Sequence, residues 1–347
     1  MKVKEKIRPT IFAHLFIISI LIGNWILPIF GQSAQSENDS FTLKIPVKLV
    51  LVPVSVKDKY DKPFYGLRTE DFQVYEEGVP QNITYFSSDP VPLSTVILID
   101  QSLDAKARSK LNETVLALIE SFSDFDEVAL FKFDHTPDEV LDFTFDKNKI
   151  LETFKTKLGG QSESPGILSG PFSAQTTIGG IPLPNSRGNI QPPKTWNTHI
   201  HDAIFSAAQA LRRRRGHDSR KMILIISDGK NAPGNRNSFQ ETLEAVLRTE
   251  IIVYGIAQGN SFISRNALSK YAAATGGDVF LPIKTETLAK TYQKIIQSAR
   301  NQYVLGYTPS ASPRSISFRR IQVELKTAFS QTGKVRSRKG YYAIPSP

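Results

Sequence analysis

At 347 residues, 40% hydrophobic and 22% charged, the chain has the composition of one or two folded domains rather than of a disordered or fibrous protein. It contains no cysteine, which excludes disulfides, thiol nucleophiles and Cys-ligated zinc, and five histidines leave oxygen ligands from Asp, Ser and Thr as the main chemical resource. The formal charge of +10 is confined to the two ends: residues 1–33 contribute +3, and residues 312–347, with eight basic side chains against Glu324, contribute +7.

In chain order, Lys2, Lys4, Lys6 and Arg8 precede an apolar run from Ile11 to Phe30 and a small-residue stretch, Gly31-Gln32-Ser33-Ala34. This order reads as a secretory signal peptide over residues 1–33, with Gly31-x-Ser33 before the cleavage point and an uncleaved anchor as the alternative. Either way the protein is expected to be exported to the periplasm, the envelope or the exterior. Residues 34–91 read as a small β segment, with the largely alternating Val47, Leu49, Leu51, Val54 and Val56 followed by shorter strands at 72–75 and 82–86 around the turn Glu77-Gly78.

After Pro92 apolar strands alternate with helical periods. Val96 to Ile99 is a buried-type strand ending at Asp100, and Leu111, Val115, Leu118 and Phe122 mark one face of a helix. Strands are expected at 128–133, with a hairpin partner at 139–145, and at 222–227, 251–256 and 278–281. Helices are expected around Ile200, Ile204, Ala207 and Leu211, after the capping box Ser238-x-x-Glu241, before Gly276-Gly277, and over 285–299. This alternation predicts an α/β fold over residues 92–301: a doubly wound, mainly parallel sheet with helices on both faces. Residues 159–195, with seven Gly and six Pro, read as a surface insertion.

From Gln302 on, segments 303–307, 320–325 and 335–342 read as three more strands in a basic segment, 302–347. Neither this segment nor residues 41–91 can stand alone, so the two sets are expected to form one β unit. Arg314, Arg319, Arg320, Lys326, Lys334, Arg336, Arg338 and Lys339 read as a solvated face of charge-guarded edge strands, an anionic polymer or envelope surface being the alternative partner. The Arg212 to Arg215 run closes a helix, where cations complement the dipole.

The first sheet strand ends in Asp100-Gln101-Ser102-Leu103-Asp104, the loop before the helix of Ile200 presents Thr198, and the strand 222–227 runs into Asp228-Gly229. In a doubly wound sheet these points converge on one edge, and hard oxygen donors of this kind select Mg²⁺, Ca²⁺ or Mn²⁺. A His-metal site at His199-x-His201 is not expected, because i and i+2 do not share a helix face. Asp134 is expected to hydrogen-bond loop amides, and Asp202 to support the site or lie on a solvated helix face. No G-x-S-x-G elbow, phosphate loop or H-E-x-x-H helix is present, so an enzyme is not expected.

The order D-x-S, distant Thr, distant Asp-Gly resembles the metal-ion-dependent adhesion site of the von Willebrand factor type A (VWA) domain. The flanks, Leu49 to Val54, Gly66-Leu67-x-x-Glu70-Asp71-Phe72, Tyr303-Val304-Leu305-Gly306-Tyr307 and Arg338-Lys339-Gly340-Tyr341-Tyr342, are similar to an exported bacterial VWFA-related subfamily of acidobacterial type. The resemblance implies a metal site at Asp100, Ser102, Thr198 and Asp228, with Asp104 in place of a second Ser. There Asp104 either adds a third carboxylate to the ion or caps the following helix. It also implies cell adhesion or protein interaction, in which a divalent cation accepts a carboxylate from a protein partner.

Overall fold

Long apolar strands that are buried on both faces need helices above and below them, and this requirement sets the centre of the fold. The computed structural model describes residues 49–60, 62–159, 177–178, 181–182, 198–214, 218–258, 266–281, 285–310, 313–326 and 333–345. The signal segment expected at 1–33 and nearly all of the 159–195 insertion lie outside them. In chain order the elements are β1 (Val50–Lys57), β2 (Phe72–Glu76), β3 (Val79–Gln81), β4 (Ile83–Ser87), β5 (Leu93–Asp100), α1 (Ala105–Glu120), β6 (Glu127–Phe133), β7 (Pro137–Thr144), α2 (Lys147–Thr153), the two-residue strands β8 (Thr177–Ile178) and β9 (Ile181–Pro182), α3 (Ile200–Arg213), β10 (Arg220–Ser227), α4 (Phe239–Arg248), β11 (Ile252–Ala257), α5 (Asn266–Thr275), β12 (Val279–Phe280), α6 (Thr285–Arg300), β13 (Tyr303–Tyr307), β14 (Ser317–Leu325), β15 (Lys334–Ser337) and β16 (Gly340–Ala343).

The central sheet has the order β12-β11-β10-β5-β6-β7, parallel throughout except for the antiparallel edge strand β7. All eight residues of β5 are buried. Leu93, Ile97 and Ile99 pack with Leu111, Val115 and Leu118 of α1 and with Tyr292 and Ile296 of α6. Val96 and Leu98 face the other way, toward Ile204 and Leu211 of α3, Val246 of α4 and Tyr271 of α5. Helix α4 opens on the expected capping box, Ser238 Oγ accepting the Glu241 amide at 3.2 Å while Glu241 Oε2 accepts the Ser238 amide at 2.8 Å. The doubly wound α/β architecture read from the sequence is therefore present, with α2 as an element the periodicity did not announce.

The flanking segments form the expected joint β unit, as two packed antiparallel sheets, β15-β1-β13-β4 and β16-β14-β2-β3. Strand β1 pairs with β13 and β15, β4 with β13, and β2 with β14, so each sheet draws strands from both ends of the described chain. Val52, Val54, Phe72, Val74, Leu305, Tyr307, Ile321 and Val323 share its core. Buried Glu76 is satisfied there by the hydroxyls of Tyr307 (2.6 Å) and Tyr341 (3.0 Å) and by Arg319.

Residues 335–342 are not one strand. The chain leaves the first sheet after Ser337 and enters the second at Gly340, and Arg338 at the corner is 5% exposed, its guanidinium bonded to Leu51 O at 2.5 Å and Glu250 at 3.1 Å. A chain that switches between packed sheets must break its ladder, which alternation alone does not reveal. Gly276 (φ +84°) explains part of the Gly-Gly pair, because a Cβ there would sit 2.8 Å from the Ser337 carbonyl carbon. The corner is further tied to the α/β unit by Lys339 N to Ala274 O (2.9 Å), and Asp278 receives Lys57 at 2.9 Å and Arg336 at 3.1 Å. Four of the eight tail cations, Arg319, Arg320, Arg336 and Arg338, are thus held in ion pairs within the chain.

Candidate metal centre

Strands β5 and β10 are parallel neighbours, and the helices that follow them, α1 and α4, pack on opposite faces of the sheet. A crevice opens at the carboxyl end of such a strand pair, and the candidate residues lie around it. Asp100, the last residue of β5, is 1% exposed. Its Oδ1 accepts the Ser102 amide (2.8 Å) and hydroxyl (2.6 Å), and its Oδ2 accepts the Ser227 hydroxyl (2.6 Å). Thr198 Oγ1 donates to Ser102 Oγ at 2.9 Å, which joins three loops in one hydrogen-bonded chain running from Thr198 through Ser102 to Asp100 and back to Ser227.

Asp228 follows Ser227, and its Oδ1 accepts the Lys230 amide at 3.0 Å while its Oδ2 lies 2.7 Å from Lys230 Nζ. Burial pushes the Asp100 carboxyl above the usual carboxylate range, and the nearby Asp228 charge adds to that, whereas the hydrogen bonds from Ser102 and Ser227 act against it.

Asp104 caps the helix that follows it. Its backbone is extended at the N-cap of α1, and its Oδ1 accepts the Ala107 amide at 2.7 Å, satisfying a donor that the first helical turn leaves without a partner. Among the described residues, no group of three or more His, Cys, Asp and Glu side chains is placed to hold a metal ion. The donors around the crevice include the carboxylates Asp100 and Asp228 and the hydroxyls of Ser102, Thr198 and Ser227, and Asp104, two residues after Ser102, caps α1. Such a set fits a hard divalent ion that keeps waters at its remaining positions.

Thr198 is fixed from the loop after β10. Its carbonyl accepts the Ala232 amide at 2.8 Å, and the first amides of α3 are capped across the crevice, Ile200 N by Asn231 Oδ1 (2.8 Å) and His201 N by Asn235 Oδ1 (3.0 Å). Asp202, 5% exposed, accepts the amides of Arg236 (2.9 Å) and Asn237 (2.8 Å) and the Asn237 side-chain amide (2.8 Å). Burial pushes its carboxyl up, but these bonds outweigh it and hold the group below the usual range.

The two histidines beside Thr198 serve different neighbours, His199 Nε2 lying 3.2 Å from Pro233 O and His201 Nδ1 lying 2.9 Å from the Tyr271 hydroxyl. Asp134 accepts the amides of His135 (2.5 Å) and Thr136 (3.2 Å), a loop role. Ser227, Asn231 and Asn235 went unnoticed in the sequence. Ser227 is the last residue of the strand expected at 222–227, directly before Asp228, and only its side chain's role was not singled out.

No protein-family model matches the sequence, and no curated protein does. Solved structures similar to the chain include a von Willebrand factor type A protein from Catenulispora acidiphila (TM-score 0.45, 10% identity, 86% of this chain and 74% of that one). They also include BatB from Bacteroides thetaiotaomicron (0.41, 14%, 60% and 98%). A third is proximal thread matrix protein 1 of the mussel byssus with a zinc-occupied MIDAS motif (0.41, 13%, 65% and 49%). The doubly wound sheet of residues 92–301, with Asp-x-Ser, Thr and Asp-Gly around one of its edges, agrees with the fold that the resemblance to the VWA domain implies.

Proposed function

We propose that the protein is an exported adhesion or protein-interaction module of the bacterial VWFA-related type, which takes an acidic side chain of a partner protein through a divalent cation at Asp100, Ser102, Thr198 and Asp228. The observation that carries this reading is the hydrogen-bonded chain Thr198–Ser102–Asp100–Ser227 at the end of the β5–β10 pair, with a second carboxylate beside it. When bound, a divalent ion supplies an electrophilic position that a carboxylate can fill.

Within this reading each residue has a physical task. Asp100, buried and oriented by two serine hydroxyls, anchors the positive charge. Ser102 and Thr198 are uncharged donors that do not neutralise it, and Asp104 caps α1 through its Oδ1. Asp202, Asn231 and Asn235 hold the Thr198 loop in register with the loop after β10.

Partner capture from the native envelope by the mature chain in millimolar Mg²⁺ should be abolished by EDTA and little changed by moderate salt. The opposite pattern, insensitivity to EDTA with loss in salt, would favour cation-independent binding of an anionic surface through residues 302–347, since contacts to polyanions weaken steeply with salt. That second reading has fewer cations available than the sequence suggests, because Arg319, Arg336 and Arg338 are engaged inside the protein.

A further inference from the structure

Lys230 grips both oxygens of Asp228. Gly229, at φ +81°, turns the chain so that residue 230 folds back over residue 228, and the same lysine donates its amide to Oδ1 at 3.0 Å and its ammonium to Oδ2 at 2.7 Å. Asp100 is held differently, by hydroxyls and an amide. Two carboxylates and one ammonium leave the cluster a formal charge of −1 in place of −2.

We infer that Lys230 is a resident counter-cation of the metal centre, which occupies Asp228 when no ion is bound and competes with divalent ions for it. This rests on the metal-binding reading of the crevice. The competition follows from charge: a second cation at Asp228 meets the ammonium at close range, where like charges repel strongly in a partly buried site. The lysine side chain is 30% exposed and carries its charge on a flexible four-carbon stem, so it can withdraw to solvent and give up its place. The backbone bond from the Lys230 amide does not depend on the side chain and keeps Asp228 oriented after that exchange. Lys230 thus sets how much ion is needed to fill the site and keeps the protein from carrying two uncompensated acids without one.

The test is calorimetric titration of the mature chain with MgCl₂, MnCl₂ and CaCl₂ for wild type, Lys230→Gln, Lys230→Arg and Asp228→Asn. Lys230→Gln should bind the preferred ion at least about tenfold more tightly than wild type, and Lys230→Arg, which keeps the charge, should stay near wild type. Equal or weaker binding by a folded Lys230→Gln, with wild type still binding, would overturn the role of Lys230 and leave the metal centre standing. No binding by any of the proteins would overturn the metal centre itself. A measurement on wild type is independent of how the variants fold: acylation of Lys230 by acetic anhydride, read by peptide mass spectrometry, should rise when MnCl₂ saturates the site. An unchanged rate at saturation would also overturn the proposal.

Discussion

At the amino edge of the central sheet Asp126 and Glu127 are buried against Arg300 and Arg214, while at its carboxyl edge Asp100 is buried against hydroxyls and half-buried Asp228 lies against a partly exposed lysine. The amino edge is closed in every sense. Asp126 also accepts the amides of Leu93 (2.9 Å) and Ser123 (2.7 Å), and Glu127 accepts the Ser94 hydroxyl at 2.6 Å, so each acid has a guanidinium and further donors. The carboxyl edge offers Asp100 neutral donors only in its hydrogen bonds, and burial drives its carboxyl toward protonation. Buried acids alone therefore do not mark a site. A guanidinium makes a buried acid a structural clamp, whereas an acid held by hydroxyls, beside an acid paired with a partly exposed lysine, fits the proposed cation site.

The comparison breaks most visibly if the amino edge is disturbed. Arg300→Ala leaves Asp126 buried without its charge partner and should cost about 3–5 kcal/mol in urea unfolding. A loss below about 1 kcal/mol would place this pair with ordinary surface ion pairs and remove the contrast. At the carboxyl edge the expected effect runs the other way, since adding a cation should stabilise. Ligand at a hundred times its dissociation constant adds about 2.7 kcal/mol, which is roughly 5–10 °C in melting temperature for a domain of this size. Asp100→Asn should erase that shift between EDTA and saturating metal, and a wild-type chain that shows no shift with Mg²⁺, Mn²⁺ or Ca²⁺ at millimolar concentration would end the metal reading.

Asp202 sharpens the comparison, because it is a carboxyl-edge acid held by amides rather than by arginine. Asp202→Asn should cost about 1–3 kcal/mol by leaving buried amides poorly matched. With its native pKa lowered, the stability Asp202 contributes is present above its unfolded value, near 4, and is lost as pH falls through the native value. The melting difference between wild type and Asp202→Asn, clear at pH 7, should therefore shrink in acid, and a difference that stays constant down to pH 2 would show that the carboxylate charge is not what matters. The smallest effect is expected at Lys339, exposed beside buried Arg338. Lys339→Gln should change stability by less than about 0.5 kcal/mol and leave EDTA-sensitive partner capture in place.

Local rules carried the sequence a long way. The apolar runs Val96 to Ile99 in β5 and Met222 to Ile226 in β10, the i, i+4, i+7 spacing of Leu111, Val115 and Leu118, and the Ser238 to Glu241 box each encode a nearest-neighbour requirement, burial on both faces, burial on one, or a capped first turn, and such requirements are written in adjacent residues. So was the meeting of Asp100, Ser102 and Thr198, because strand order alone brings those loop positions to one edge. What the tertiary structure decided was how competing local options were resolved. Asp104 reads as a ligand or as a cap, and in the fold the open amide of Ala107 bonds its Oδ1. Arg338 sits within an apparent strand, yet it turns the corner between two sheets because Leu51 and Glu250, distant in sequence, accept its guanidinium. Asn231 and Asn235 cap a helix that begins some thirty residues earlier, and Lys230 returns to Asp228 through a left-handed glycine. Each of these depends on which backbone groups and charges remain unsatisfied once the strands are in register, and the chain acquires that information only by folding.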